Sequence, residues 1–368
     1  MKFRCERDVL VEALGTTGRA VAAKGAGSTA MAGVHLRLEG DTLRLAGVDR
    51  DLTIQTQLTV SATQDGSVVL PSRLASDIVR SLEPGAVEVE ALADEEVVKI
   101  SLGKSHFTVR TLPAEDFPRL SPPAGDPVTL ESAVLAAALR QVVRAASTDN
   151  DRPVLTGVLM SATETGLRLV ATDSYRLAVR DLPGSTVLAE GQKVLLPSRA
   201  LGELQRLLSS GSESVSLRLG EFEAHFDIGP TRLTTRLLEG EFPAYAGLIP
   251  KGSPNRLVIG KDALLDAVRR VRLMTRDATT PVRLSLRPDG VELTVITPDL
   301  GQANEDVDAK YEGTEFTIAF NPSYLADGVE AIEGDELALE TQDAGKPATL
   351  RATEGPDYLY LLMPVKVS

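Results

Sequence analysis

Several residue types that build common functional sites are scarce in this sequence. Cys5 is the only cysteine among 368 residues, so a disulfide within one chain is impossible and a cysteine-based zinc site is not expected. We expect Cys5 to be a small buried residue of the first strand. The three histidines, His35, His106 and His225, lie far apart in segments of alternating polarity, which predicts ordinary strand histidines rather than ligands or catalytic groups.

Long apolar runs and the motifs of common enzymes are also missing. No run approaches the ~20 residues of a membrane-spanning helix, and the opening MKFRCERDVL lacks the apolar core of a signal peptide. We therefore predict a cytoplasmic protein with no membrane partner. There is no G-x-x-x-x-G-K-[ST] and no G-x-S-x-G pattern, and GAGSTA lacks the third glycine of a dinucleotide fingerprint. Neither a metal, a cofactor nor a catalytic residue is predicted.

The composition is that of a folded chain with several cores. Hydrophobic residues make up 43% and charged residues 25%, which excludes a wholly disordered chain and suggests two or three domains. The formal net charge is −13, which by itself argues against binding to nucleic acid, because phosphate affinity comes from clustered Lys and Arg. How the charge is distributed matters more than this total.

Three stretches of the chain resemble one another at a nearly constant interval. VVLPSRLASDIVRSL recurs 126 residues later as VLLPSRALGELQRLL, and more weakly after a further 125 as IAFNPSYLADGVEAI. Asp49, Asp173 and Asp299 occupy matching positions of a second landmark, and Phe117 and Phe242 mark a third. Because several landmarks recur in one order, the sequence predicts three similar domains joined by segments rich in proline and glycine.

We place these domains at residues 1–124, 125–252 and 253–368. Each contains two copies of a short strand followed by an amphipathic helix, and between them lie period-2 segments such as VHLRLEG, GLRLVAT and VELTVIT, which are typical of antiparallel strands with one buried face. The predicted fold class is α+β: three domains in series, each with two helices packed on antiparallel sheets.

The predicted helices are more basic than the rest of the chain. We place them at residues 7–24, 72–82, 129–147, 198–209, 260–276 and 323–332. They hold 14 basic and 9 acidic residues, and five of the six have a positive balance. A single basic helix face is usually ordinary solvated surface. Its repetition in so acidic a chain favours a common basic surface.

The recurring aspartates allow two interpretations. Their recurrence in every domain favours structural carboxylates that form turns. An unrecognised catalytic carboxylate at Asp173 or Asp299 is the alternative. A third hypothesis is a repeat protein that scaffolds partners through its apolar carboxyl end, which contains Leu361, Leu362 and Met363.

Taken together, the MKF opening, the LPSR segments, TLPAEDFP, VATDSYRLAV and the ending YLLMPVKV resemble the bacterial DNA sliding clamp, the beta subunit of DNA polymerase III. The resemblance covers the whole chain. It implies a clamp fold, a head-to-tail homodimer that closes into a ring around double-stranded DNA without reading its sequence, and a processivity factor without catalytic activity. The implied partners are the polymerase III alpha subunit, the clamp loader, and other polymerases and repair proteins that carry short peptide motifs.

The resemblance also implies two sets of site residues. The positions at or near the family's DNA contacts are Lys24, Arg73, Arg152 and Arg199. From the helix faces we add Arg80, Arg140, Arg144, Arg206, Arg269, Arg272 and Arg276 as candidate DNA-facing residues. Those of a peptide-binding groove between domains 2 and 3 are Leu155, Thr172, Ser174, Tyr175, Arg176, Leu177, Pro243, Leu248, Asn321, Tyr324, Met363, Pro364 and Val365. The groove rim departs from the family pattern at Ala246, Gly247 and Thr279.

Overall fold

The structure is a computed structural model that describes residues 1–22, 28–120, 122–209, 211–277, 280–355 and 357–366. The described part contains six α-helices: α1 (Arg7–Gly18), α2 (Ser72–Ser81), α3 (Ser132–Val142), α4 (Ser198–Leu208), α5 (Lys261–Arg272) and α6 (Pro322–Ala331). Each follows a short strand directly, as the sequence predicts. Among the described residues, no helix combines the length and apolar character that crossing a membrane requires.

The strands fall into three consecutive groups. The first is β1 (Lys2–Glu6), β2 (Gly33–Glu39), β3 (Thr42–Val48), β4 (Leu52–Thr59), β5 (Ser61–Gln64), β6 (Gly66–Pro71), β7 (Ala86–Leu92), β8 (Val97–Leu102) and β9 (Ser105–Arg110). The second is β10 (Val128–Glu131), β11 (Gly157–Thr163), β12 (Gly166–Thr172), β13 (Arg176–Pro183), β14 (Lys193–Pro197), β15 (Ser214–Leu219), β16 (Glu223–Ile228) and β17 (Thr231–Arg236). The third is β18 (Asn255–Gly260), β19 (Val282–Arg287), β20 (Gly290–Thr297), β21 (Gly301–Glu312), β22 (Phe316–Phe320), β23 (Glu336–Thr341), β24 (Ala348–Ala352) and β25 (Tyr358–Leu362).

These strands form three antiparallel sheets, two of which join strands of neighbouring repeats. Their orders are β5-β1-β7-β8-β9, then β10-β15-β16-β17-β4-β3-β2-β6, and finally β14-β11-β12-β13-β25-β24-β23-β18-β21-β20-β19-β22. Strands of neighbouring repeats meet within one sheet where β17 pairs with β4, and within another where β25 pairs with β13. A repeat therefore completes its sheet with strands from the next repeat. The period-2 segments all lie on strands, which confirms the α+β prediction.

The chain divides into two compact units whose limits cut through the middle repeat. Unit 1 consists of residues 1–133 and 206–237, and unit 2 of residues 134–205 and 238–368. In unit 1, Phe3, Leu10 and Leu45 are buried in one core in which α1 and α2 pack on the sheets. Cys5 belongs to this core, as predicted, and burial raises the pKa of its thiol to about 11. In unit 2, α5 buries Leu264, Val268 and Val271 on the face that the sequence predicts.

Five of the six helices are shorter than predicted, and this weakens the charge argument. The six α-helices hold ten basic and eight acidic residues, and α1 has a negative balance. Arg144 lies in a 3₁₀ turn, Val143–Ala145, and Arg276 follows the end of α5. The prediction that five of six helices are basic is therefore wrong, because the sequence pattern placed helix ends too far along the chain.

Candidate functional sites

The floor of the candidate groove lies in unit 2, where two strands from different repeats pair. Leu177 of β13 lies opposite Leu361 of β25, and Val179 lies opposite Leu359. These four side chains form one buried cluster with Val170 and others. Because side chains alternate along a strand, the neighbours Tyr358 and Tyr360 face away from this cluster, toward the helices. The sheet junction thus provides the apolar base that a peptide groove requires.

A tight turn between β12 and β13 forms one wall of the groove. Asp173 Oδ1 accepts hydrogen bonds from the backbone N–H groups of Tyr175 (2.9 Å) and Arg176 (3.0 Å). Thr172 Oγ1 donates to the Arg176 carbonyl at 2.6 Å. Ser174 has a φ of 79°, a left-handed conformation that is costly for a residue with a side chain. The turn leaves Tyr175 64% exposed, so its ring is available to a ligand.

Arg176 ties this wall to α6. Its side chain is 10% exposed, pairs with Asp173 at 3.0 Å and with Asp327 at 2.5 Å, and lies 4.3 Å from the centroid of the Tyr324 ring. Burial lowers the pKa of Arg176, but Tyr360, Asp327 and Asp173 raise it, and the net shift is upward. The guanidinium therefore stays charged and holds Tyr324 by a cation–π contact.

The start of α6 supplies the opposite wall. Asn321 is the N-cap, and its Oδ1 accepts from the N–H groups of Ser323 (2.9 Å) and Tyr324 (3.3 Å). The Tyr360 hydroxyl donates to the Tyr324 carbonyl at 2.9 Å. Gly328 makes this approach possible, because a Cβ there would lie 2.4 Å from the Tyr360 ring.

The carboxyl end closes the groove after a buried strand. Leu361 and Leu362 belong to β25 and are about 98–99% buried, so they are core residues rather than a free apolar tail. Met363 follows them, is 39% exposed, and donates its N–H to the Tyr175 carbonyl at 2.9 Å. Val365 donates its N–H to the Ala319 carbonyl at 2.8 Å. The apolar ending is thus divided between a core strand and a groove lining.

The structure brings the remaining groove residues into the same unit with unequal exposure. Leu155 is buried, whereas Pro243 is exposed and Leu248 is 56% exposed. Sequence reasoning missed Phe242, Tyr245 and Ile249, which pack partly buried against the Leu177 cluster. The signal was available, since Phe242 lies in the repeated segment that ends in Phe-Pro. Thr279 lies outside the described residues, so its predicted effect on the rim stays a prediction.

The candidate DNA-facing arginines that the structure describes are exposed, and at least five of these ten form ion pairs with acidic side chains. Arg140 pairs with Glu333 at 3.0 Å, and both Arg144 and Arg269 pair with Glu330. Other ion pairs join Arg73 to Asp77 (3.8 Å) and Arg276 to Asp299 (3.2 Å). Arg80, Arg199, Arg206 and Arg272 are also exposed. Lys24 lies outside the described residues.

Arg152 does not lie on a helix. Its Nη1 donates to the Ser174 hydroxyl at 3.5 Å, which places it beside the turn of the groove.

One of the three repeated aspartates differs from the prediction that they form turns. Asp49 accepts N–H groups of Asp51 and Leu52 and forms a turn as Asp173 does, but Asp299 instead pairs with Arg276. Two of the three are therefore turn-forming carboxylates.

Comparison with known proteins decides the family. Three protein-family models match in series: the N-terminal domain of the DNA polymerase III beta subunit at residues 1–121, its central domain at 129–244 and its C-terminal domain at 246–366. The chain belongs to the DNA polymerase III beta subunit family. A beta sliding clamp of Streptomyces coelicolor is 35% identical over 385 aligned residues, with both proteins covered completely. The predicted family and the three-domain series are thereby confirmed.

Solved structures of beta subunits agree with the fold. A sliding clamp of Bartonella birtlesii, bound to griselimycin, is 31% identical with a TM-score of 0.92, and one of Bacillus subtilis is 29% identical with a TM-score of 0.91. Both cover each chain completely. The beta subunit is an accessory, non-catalytic subunit of the polymerase, which removes the alternative of an enzyme built on Asp173 or Asp299.

Proposed function

We propose that this beta subunit works as a sliding clamp: two copies close head to tail into a ring around duplex DNA and tether polymerases to it. The observation that carries the proposal is the match of three consecutive family domains over nearly the whole chain. The proposed domain limits are residues 1–124, 125–252 and 253–368. A ring holds DNA by topology, so its contacts with phosphates need only be weak and mobile.

The proposed DNA-facing residues suit this weak hold. Arg140, Arg144 and Arg269 are exposed but share carboxylates at one end of α6. A phosphate must compete with Glu330 and Glu333 for these arginines, which lowers the affinity for any single site and favours sliding. Arg272 is exposed and forms no ion pair with any residue that the structure describes, so it would contribute more to phosphate binding than a paired arginine.

Dimerisation is supported by two sheet edges. Strand β9 ends its sheet and is mostly exposed, with Phe107 at 36% exposure. Residues 301–308 of β21 pair with β20 on one side only, because β18 pairs with residues 309–312. β9 contains Arg110 and no acidic residue, whereas the open part of β21 contains Glu305, Asp306 and Asp308. Two antiparallel edges of opposite charge can pair between copies and remove both edges from solvent.

The groove between β13, β25 and α6 is the proposed binding site for short peptides of partner proteins. Its apolar floor, the exposed Tyr175 ring and the flexible Met363 side chain suit apolar residues of several peptides. Arg152 and Arg176 lie beside it. The polymerase III alpha subunit, the clamp loader and other polymerases and repair proteins are the proposed partners. Griselimycin, which is bound to the Bartonella relative, serves as a probe.

The topological hold is tested by retention on DNA. The chain is loaded onto nicked circular plasmid with a clamp loader, washed at high salt and then exposed to a restriction enzyme that linearises the plasmid. Because salt screens phosphate contacts but not topology, we expect retention to fall roughly tenfold or more on linearisation. Equal retention on circular and linear DNA would refute encirclement. No retention on either, with peptide binding intact, would favour the scaffold hypothesis.

The groove is tested by calorimetric titration with griselimycin. Met363→Ala should weaken binding about tenfold, or ~1.4 kcal/mol, because a partly exposed side chain is lost from the groove lining. Met31→Ala is the matched control, since Met31 is also partly exposed but lies in unit 1. Equal affinity of the Met363 variant and the parent would place the ligand elsewhere.

A further inference from the structure

Unit 1 contains a counterpart of the peptide groove with a different lining. The junction of β4 with β17 corresponds in the repeat to the junction of β13 with β25. At this junction lie two adjoining cavities of about 450 and 710 Å³, which share Gln55, Pro118, Arg119 and Leu120. All lining residues of both cavities belong to unit 1. The repeat thus places a second concave surface where the first domain meets the second.

The register shows how the lining has changed. The interval that aligns Asp49 with Asp173 also aligns Thr53 and Gln55 of β4 with Leu177 and Val179 of β13. Thr53 lies opposite Thr234, and Gln55 lies opposite Arg232. The equivalent pairs in unit 2 are Leu177 with Leu361 and Val179 with Leu359. All four apolar floor positions of the peptide groove are therefore polar or basic in unit 1.

Three arginines that face this surface have no partner within the described part of the chain. Arg50, Arg119 and Arg236 line the smaller cavity and are exposed, and their guanidinium groups form no hydrogen bond or ion pair with any residue that the structure describes. The larger cavity adds Arg37, Arg44 and Arg232, which pair with Glu39 and Asp227. Unpaired guanidinium groups are available for bidentate contacts with carboxylates.

Apolar contact area remains beneath and beside the arginines. Val48 and Leu52 line the smaller cavity at 5% and 2% exposure, with Met31 and Leu120 partly exposed. Phe222 is 63% exposed, and its carbonyl accepts the N–H of Leu237 at 2.8 Å, next to Arg236. A ligand for this surface would combine negative charge with a few apolar groups.

We propose that these two cavities of unit 1 bind an extended acidic peptide segment of a partner protein, with carboxylates on Arg50, Arg119 and Arg236 and an apolar side chain over Val48 and Leu52. Two adjoining cavities suit an extended chain better than a small anion. Single-stranded nucleic acid fits less well, because no exposed aromatic ring is found among the described residues that line the cavities, and such a ring would be needed as a stacking platform for bases.

The proposal is tested by fluorescence anisotropy with the full chain at low salt. The probe is a labelled peptide in which aspartate and glutamate alternate with leucine and phenylalanine, and its amide analogue with asparagine and glutamine is the neutral control. We expect binding of the acidic probe only, weakened at least roughly tenfold by the double variant Arg119→Glu, Arg236→Glu. The matched control Arg269→Glu, Arg272→Glu makes the same charge change in unit 2 and should retain most of the affinity.

Other outcomes would overturn the proposal. Equal losses in both double variants mean unspecific charge attraction, and loss in Met363→Ala means that the probe occupies the peptide groove of unit 2. Absence of binding, or tighter binding of oligo-dT that depends on Arg119 and Arg236, also overturns it. The proposal does not depend on DNA encirclement, so retention on circular DNA should be unchanged in the Arg119→Glu, Arg236→Glu variant.

Discussion

Asp49 and Asp173 occupy the same place in two repeats and form the same turn, yet their surroundings differ through a few neighbouring residues. Each accepts two backbone N–H groups through Oδ1. Three residues later the first repeat has Leu52, which is buried, and the second has Arg176, which pairs with Asp173 and stacks on Tyr324. Leu52 and Arg176 occupy the same position at the end of this shared turn. Unit 1 therefore has an apolar cavity lining where unit 2 has a charged side chain that holds the groove wall.

His35 should make part of the stability depend on pH. It is partly buried on β2, its Nε2 lies 2.6 Å from the Ser67 hydroxyl, and its ring centroid lies 4.8 Å from that of Phe117. Burial and the charge of Arg37 lower its pKa in the folded state. The unfolded chain therefore binds the proton more readily, and the stabilising contribution is complete above the unfolded pKa of about 6.5 and declines as the pH falls through that value.

We expect His35→Gln to lose less stability than the parent between about pH 7 and pH 5, because one group that titrates on unfolding is removed. The measurement is the free energy of unfolding in urea at both values. A slope in His35→Gln as steep as the parent's would show that this histidine does not contribute.

At the scale of elements, the strands rather than the helices set the limits of the units. β4 and β17 join the first two repeats within unit 1, and β13 and β25 join the last two within unit 2. Each junction satisfies the backbone groups of strands that would otherwise be edges. Among the sheet edges that remain, β9 and the first part of β21 are the two that we propose pair between copies.

Phe107→Asp should weaken the dimer. A charge at this apolar edge position would face the acidic part of β21, and we expect the dissociation constant of the dimer to rise at least about tenfold. Sedimentation of the parent should show twice the chain mass of 39.2 kDa, and of the variant a shift toward the monomer on dilution. Phe222→Asp changes an equally apolar but more exposed ring outside β9 and should stay dimeric. A dimer of unchanged strength in Phe107→Asp would refute the β9 contact.

At the scale of the whole molecule, the repeats share one fold but differ in the side chains that line the junctions between them. The junction in unit 2 is lined by leucine and valine, and the junction in unit 1 by threonine, glutamine and arginine. The total charge of −13 hides this variation, just as it hides the exposed arginines of the helices. A chain of one fold can therefore present surfaces of different chemistry to different partners.

The sequence alone determined the elements and their order. A period of two places the apolar side chains of a strand on one face, and a period near 3.6 places those of α3 and α5 on one face. The strands and these helices could therefore be located without a structure. The threefold recurrence of whole motifs predicted the series of similar domains, and the resemblance of those motifs to the beta subunit predicted the family. The groove residues were carried over from that resemblance by motif position.

Tertiary structure decided which strands and side chains of different repeats contact one another. The pairing of β25 with β13 brings Leu361 next to Leu177 across 184 residues of chain, and no local pattern encodes that register. Helix ends, the ion pairs of Arg140, Arg144 and Arg269, and the packing of Tyr245 against the groove floor depend on such long-range contacts. Local periodicity fixes which face of an element is apolar, whereas only the folded chain fixes which other element covers it.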